Sequence, residues 1–192
     1  NTAWINSSPS EFTLMGSTLL KYNGTSESVT VPDGVKNIAA NAFAYNIAVK
    51  EIILPSTLEK IGDNAFVHCY SLEKIAIPPT VSHIGAGAFE GNKTIETVEL
   101  NGNILRIGDR AFKDCTSLVE IDKFKALETI GISAFEGCTS LKSFKLPDAV
   151  TLIPERCFAN CSSLTEIDIP DSVTNIDSWA FSECASLVRV KL

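Results

Sequence analysis

The residues best able to do chemistry in this chain of 192 residues are its six cysteines, two histidines and a run of carboxylates. An even number of thiols suggests disulfides, and clustered thiols suggest zinc. The spacing argues against both. Cys69, Cys115, Cys138, Cys161 and Cys184 stand whole multiples of 23 residues apart, with Cys157 four before Cys161. If units of that length stack, four of these thiols come within disulfide range of Cα spacing. Their side chains, however, point in parallel, which does not supply the required torsion. A ladder also gives a metal a line of ligands instead of a converging cluster. Buried free thiols acting as small apolar side chains are therefore expected, with no metal and no cofactor.

The histidines, His68 and His83, are out of register with one another, and neither has a Ser or Cys partner in a repeated geometry. A base with a nucleophile in reach is the minimum for covalent catalysis, so both read as solvated surface residues and the chain as non-enzymatic. Gly62, Gly85, Gly108 and Gly131 fall one per unit. A phosphate loop needs its glycines together, so these are expected to serve a turn with unusual backbone angles. Asn23-Gly24-Thr25 and Asn92-Lys93-Thr94 match the glycosylation pattern, although Asn92 falls in an inward column with no room for a glycan.

The carboxylates are more suggestive. Glu99, Glu120, Asp122, Glu166 and Asp168, interrupted by Lys145, recur on two outward columns. They form a candidate binding face for a basic protein partner. The plainer reading is a solvated sheet with cross-strand pairs such as Asp122–Lys145 and Lys145–Asp168, each worth little. Beside them, Ile121-Asp122-Lys123-Phe124-Lys125 places lysine in a core column and phenylalanine in a proline slot. A bulge that turns Phe124 inward and frees Lys123 is expected; the functional version of this break is an irregular notch.

The elements that must position these groups follow from a strict beat. Phe43, Phe66, Phe89, Phe112, Phe135, Phe158 and Phe181 recur every 23 residues without insertion, six of them after alanine. A period of that length marks a solenoid. With each phenylalanine as position 0, isoleucine stands at −5 in every unit, from Ile38 to Ile176, and the columns at −8, +6 and +9 are wholly apolar. The +11 column is apolar except for Lys123. Apolar residues at +9 and +11 with polar ones between read as a short strand with one buried face, ended by a proline such as Pro55, Pro78, Pro147 or Pro170. The −8 to −5 stretch reads as a second extended segment, and Ala-Phe as one turn of α- or 3₁₀-helix. No unit buries its own columns alone, but a stack does.

The unit L-x-x-I-x-I-P-x-x-V-x-x-I-G-x-x-A-F-x-x-C, best seen over Leu72–Phe89 and Leu164–Phe181, resembles the BspA-like class of leucine-rich repeat. The match runs from Phe12 to Leu192. It departs from commoner leucine-rich repeats in placing asparagine or cysteine before the strand. The resemblance implies a right-handed solenoid with one short parallel strand per coil, extended or helical turns opposite, and an amino-terminal β-hairpin cap. It also implies a bacterial surface or secreted protein, some of whose relatives bind host matrix proteins or other cells.

The domain organisation expected is a tail over 1–11, a cap with the first strand over 12–34, and repeats over 35–192. In the cap, Phe12–Met15 and Thr18–Tyr22 flank a tight turn at Gly16-Ser17. The chain opens at Asn1, which leaves room for a removed targeting segment. It stops mid-coil at Val190-Lys191-Leu192, so the natural chain is expected to continue, or this end to pack against something. Trp179, in a column otherwise of Asn41, Asn64, Gly87, Arg110, Ser133 and Arg156, is expected to cover that end or mark an interface. A net charge of −7 argues against nucleic acid, and no apolar run is long enough for a membrane helix. Two functions remain: an extracellular or cell-surface recognition module binding a protein through its strand face, or a rigid spacer presenting another domain.

Overall fold

The computed structural model describes residues 11–100, 104–121 and 124–191. The chain winds as a stack of coils, and the cap hairpin Phe12–Met15/Thr18–Tyr22 closes its first end. Gly16 adopts the left-handed φ of +58° that the tight turn requires.

The expected strand face is present. Ser28–Thr30, Glu51–Ile53, Lys74–Ile77 and Thr97–Leu100 form a four-stranded parallel sheet, and Ser143–Lys145, Glu166–Asp168 and Arg189–Lys191 form a three-stranded one. Between the two lies the irregular coil, joined to the first sheet through a single bridge from Thr97 to Glu120. The −6 and −5 residues add a second strand to each coil. Asn37–Ile38, Lys60–Ile61, His83–Ile84, Arg106–Ile107 and Thr129–Ile130 extend the cap hairpin into a seven-stranded sheet.

That second sheet stops at Pro154. In earlier coils the residue after the isoleucine donates its N–H to the previous coil's isoleucine, as Gly62 does to Ile38 at 2.9 Å and Gly108 to Ile84 at 2.9 Å. Proline has no N–H to give, and Leu152–Ile153 instead begins a separate pair with Asn175–Ile176. The glycines at this position have a different role from the one expected. Their backbone angles are ordinary. A side chain there would strike the preceding coil: a Cβ on Gly62 would lie 2.8 Å from the Ala40 nitrogen, and one on Gly108 2.5 Å from that of Ala86. Close approach of backbones, not turn geometry, demands glycine.

The Ala-Phe segment is not helical. Every coil has a left-handed residue at −2 and another at +2, from Asn41 and Tyr45 to Trp179 and Glu183. Right- and left-handed residues therefore alternate with too short a period for a helix. The amides alternate as well. Those of Ala42, Ala44 and Asn46 bond three residues back, while those of Asn41, Phe43 and Tyr45 reach Asp63, Ala65 and Val67 of the next coil at 2.8–3.0 Å. Overlapping turns thus form a third inter-coil ladder.

The core is one continuous aromatic column. Phe12, Tyr22 and the seven repeat phenylalanines stack with ring centroids 5.1–5.6 Å apart, within the range for offset-stacked rings. The six repeat phenylalanines from Phe43 to Phe158 are fully buried. Tyr22 supplies the cap's ring in this column, its amide bonding the Ala42 carbonyl at 2.8 Å as the six phenylalanines from Phe43 to Phe158 bond the coil after them. In the last described coil the same columns open: Ile176 is 48% exposed and Val190 49%.

Candidate functional site

The outward residues of the strand face all lie on one surface. Thr97, Glu99, Glu120, Ser143, Lys145 and Glu166 are exposed and Asp168 half-exposed, while Val98, Ile121, Phe144 and Ile167 between them are buried. Strand alternation produces this split, and parallel register sets like positions side by side, as in Lys145 opposite Asp168.

The structure divides the expected acidic stripe between two hollows. Glu120, Lys145, Glu166 and Asp168 line one of about 250 Å³ whose floor includes Ile121, Phe144 and Ile167. Glu99 lines another, of about 230 Å³, with Glu51, Lys74 and Ile53. Ion pairs cancel part of the charge: Lys145 reaches Asp168 at 3.8 Å, Arg189 reaches Glu166 at 3.4 Å and Lys74 reaches Glu51 at 2.9 Å. Among the described residues, Glu99 and Glu120 take part in no ion pair. Among the described residues, the stripe is therefore paired at Glu166 and Asp168 and unpaired at Glu99 and Glu120. Asp122 and Lys123 lie outside the described residues. Phe124 is buried, its ring 5.6 Å from that of Phe144, which in turn contacts Phe135 and Phe158 at 5.0 and 4.9 Å. Phe124 and Phe144 together fill core space at the interruption between the two sheets.

The cysteine column is a hydrogen-bonded interlock. Each thiol at +3 donates to the carbonyl of the previous coil's phenylalanine: Cys69 to Phe43 at 3.1 Å, Cys115 to Phe89 at 3.1 Å, Cys138 to Phe112 at 3.2 Å, Cys161 to Phe135 at 3.2 Å and Cys184 to Phe158 at 3.0 Å. All six cysteines are free, and all but Cys184 are buried. Burial pushes the thiols up, Cys69 to about 12, so they remain protonated and poorly nucleophilic.

Trp179 does not cover the end of the stack. The Arg156 guanidinium of the preceding coil sits 5.3 Å from its ring centre, and the tryptophan remains 60% exposed. Arg156 also contacts Glu136 at 3.5 Å, and Lys113 reaches the same carboxylate at 3.1 Å. Burial raises the Glu136 pKa, but hydrogen bonds from Ser133 and Lys113 and the charges of Lys113 and Arg156 outweigh it. The carboxyl is held below the usual range.

The two histidines lie apart. His68 sits in the turn ladder, its ring 5.3 Å from Tyr45 and 5.4 Å from Tyr70. His83 lies on the second sheet between Lys60 and Arg106, one per coil in direct register. The three basic residues are spaced 23 apart in the sequence, but nothing in their types marks them as one surface until the coils stack. The row borders a groove of about 490 Å³.

The profile of the family described as BspA type Leucine rich repeat region matches residues 13–123 and 106–192, in six copies. Among solved structures, a leucine-rich repeat protein of T. pallidum is 26% identical, with TM-score 0.90, over 95% of this chain and 90% of that one. A leucine-rich repeat protein of Eubacterium ventriosum is 30% identical, with TM-score 0.79, over 90% of this chain but 47% of that one. The pneumococcal vaccine antigen PcpA shares the fold at 22% identity and TM-score 0.59, over 86% of this chain and 50% of that one. The chain thus spans about half the length of the latter two. No curated protein shows a significant match.

Proposed function

The chain belongs to the BspA type leucine-rich repeat family, and from that premise we propose that it is a non-enzymatic recognition module that binds a protein partner through its strand face, outside the cell or at its surface. One observation carries this reading. Glu120 stands exposed, in no ion pair among the described residues, beside a hollow floored by Phe144 and Ile167. A carboxylate with no ion-pair partner among the described residues, next to a partly apolar depression, suits a basic side chain with an aliphatic stem. Extended repeat surfaces suit such recognition, and the association of BspA-like repeats with surface and secreted proteins supports the location.

The test is Glu99→Lys with Glu120→Lys. The wild-type chain is immobilised, a partner is captured from extracellular matrix proteins and purified, and both chains are titrated against it. At least tenfold weaker binding by the variant supports this face. Undiminished affinity removes it.

The unbroken aromatic column from Phe12 to Phe181 favours a second role as a stiff spacer. That role predicts no partner for the isolated chain and a separate binding domain elsewhere in the full-length protein.

A further inference from the structure

We propose that the groove on the second sheet is a binding site for an acidic glycan, a polysaccharide bearing carboxylate or sulfate groups. It lies on a different sheet from the strand face and stands independently of the reading above.

Three observations converge on it. First, Lys60, His83 and Arg106 occupy the same outward position on consecutive coils, in direct parallel register. A cation with no acid opposite it on a neighbouring strand forgoes a stabilising cross-strand pair. Elsewhere this chain makes such pairs, opposing a cation with an acid one coil away, as in Lys36–Glu59, Lys50–Glu27, Lys74–Glu51 and Lys113–Glu136. Neither Lys60 nor Arg106 has an ion-pair partner among the described residues. Lys60 and Arg106 thus stand as unpaired cations along one side of the groove in a chain of net charge −7, while its carboxylates lie along the other.

Second, the row borders a concavity of about 490 Å³, roughly twice the size of either strand-face hollow. Its base runs over Gly85, Gly108 and Gly131. Close packing of the coils requires these glycines, and the same absence of side chains keeps the groove open.

Third, the other wall offers hydrogen-bond acceptors. Asp63 and Asp109 line the groove, and each uses one carboxylate oxygen to accept a backbone amide of the next coil, Ala86 and Ile132, at 2.9 Å. The second oxygen of each makes no hydrogen bond among the described residues. On the basic side, Thr129 accepts from Arg106 Nε at 3.2 Å and steadies the guanidinium.

The combination selects the ligand. Two carboxylates facing the groove repel a continuous phosphate backbone, which argues against nucleic acid. They suit a chain whose anionic groups alternate with hydroxyls: hydroxyls donate to Asp63 and Asp109, and anions meet Lys60 and Arg106. Those two cations stand two coils apart, about 10 Å, comparable to a two-sugar repeat in an extended polysaccharide.

The test titrates the whole chain with size-matched hyaluronan, heparin and neutral oligosaccharides, and with single-stranded oligothymidylate. Wild type is expected to bind at least one of the two acidic glycans, more weakly as salt rises; binding of hyaluronan shows that carboxylates suffice, and binding of heparin alone that sulfate is required. Lys60→Glu with Arg106→Glu is expected to weaken that binding at least tenfold. The neutral pair Lys60→Gln with Arg106→Gln guards against a folding artefact and is expected to lose part of the affinity. Lys142→Glu, on the other sheet's side, is expected to change little. Three results would overturn the proposal: no binding of either acidic glycan, an equal loss in the Lys142 variant, or oligothymidylate binding as tight as the glycan.

Discussion

The side-chain amide of Asn92 donates to the carbonyl oxygen of Phe66, 2.9 Å away. Cys115 makes the same bond to Phe89 one coil later. Asparagine and cysteine share the column because either can reach across to the previous coil. They differ in what is left over: the Asn92 carbonyl oxygen is fully buried and unpartnered. An orphaned buried acceptor costs about 1–3 kcal/mol. Asn92→Cys should therefore keep the interlock and raise stability by about 1 kcal/mol in urea unfolding. A loss of that size would contradict the account.

The thiols give a direct chemical readout. Five are buried and Cys184 is only half-buried. In native protein at pH 8, a thiol reagent such as Ellman's should modify Cys184 ahead of the other five, and after denaturation without reductant it should count six. A native burst of two or more, or a denatured count below six, would show that the column is open or oxidised.

Glu136 should make the protein acid-sensitive. Its folded carboxyl titrates below the unfolded value of about 4.3. Its stabilisation is therefore present above that value and lost as pH falls through the lower, folded one. Glu136→Gln should cost about 1–2 kcal/mol at pH 7 by loss of charge-assisted bonds. The gap to wild type should close in acid. A difference that stays constant from pH 7 to pH 3 would assign the effect to packing.

Gly108→Ala should be severe, although alanine is ordinarily harmless at such backbone angles. Its methyl would meet the Ala86 amide nitrogen at 2.5 Å, and backbone cannot move aside cheaply. Overpacking of this kind costs about 1–3 kcal/mol. A change under about 0.5 kcal/mol would mean that the coils part more easily than their contacts suggest.

Much of this molecule was legible in the residues. The coil length, the Phe43-to-Phe181 column, the cap hairpin and the inward cysteines follow from apolar periodicity, because every coil buries the same positions and the sequence repeats that demand. Phe124 also announced itself, as an aromatic where proline belongs.

Tertiary structure decided the rest. Left-handed backbone at −2 and +2 was signalled only in part, by Asn41, Asn64 and Gly87 and by Gly91, Asp114, Gly137 and Asn160, and was hidden at Arg110, Trp179 and Glu183. At those three positions the inter-coil amide bonds hold it against side-chain preference. The glycine column was visible, but its cause was not, since backbone approach exists only between stacked coils. Pairing was legible only in part. The stripe from Glu99 to Asp168, with Lys145 interrupting it, reads as one face along the chain and the Lys145–Asp168 pair is legible there, yet its members fall in two hollows, and Arg189 adds a second pair with Glu166. Lys60, His83 and Arg106 share a period of 23 in one dimension and become a single row bordering a groove in three. The sequence by itself determined which side chains face in, because burial repeats with the period. Only the stack decided which outward groups meet, because charges and backbones 23 residues apart become neighbours at strand spacing.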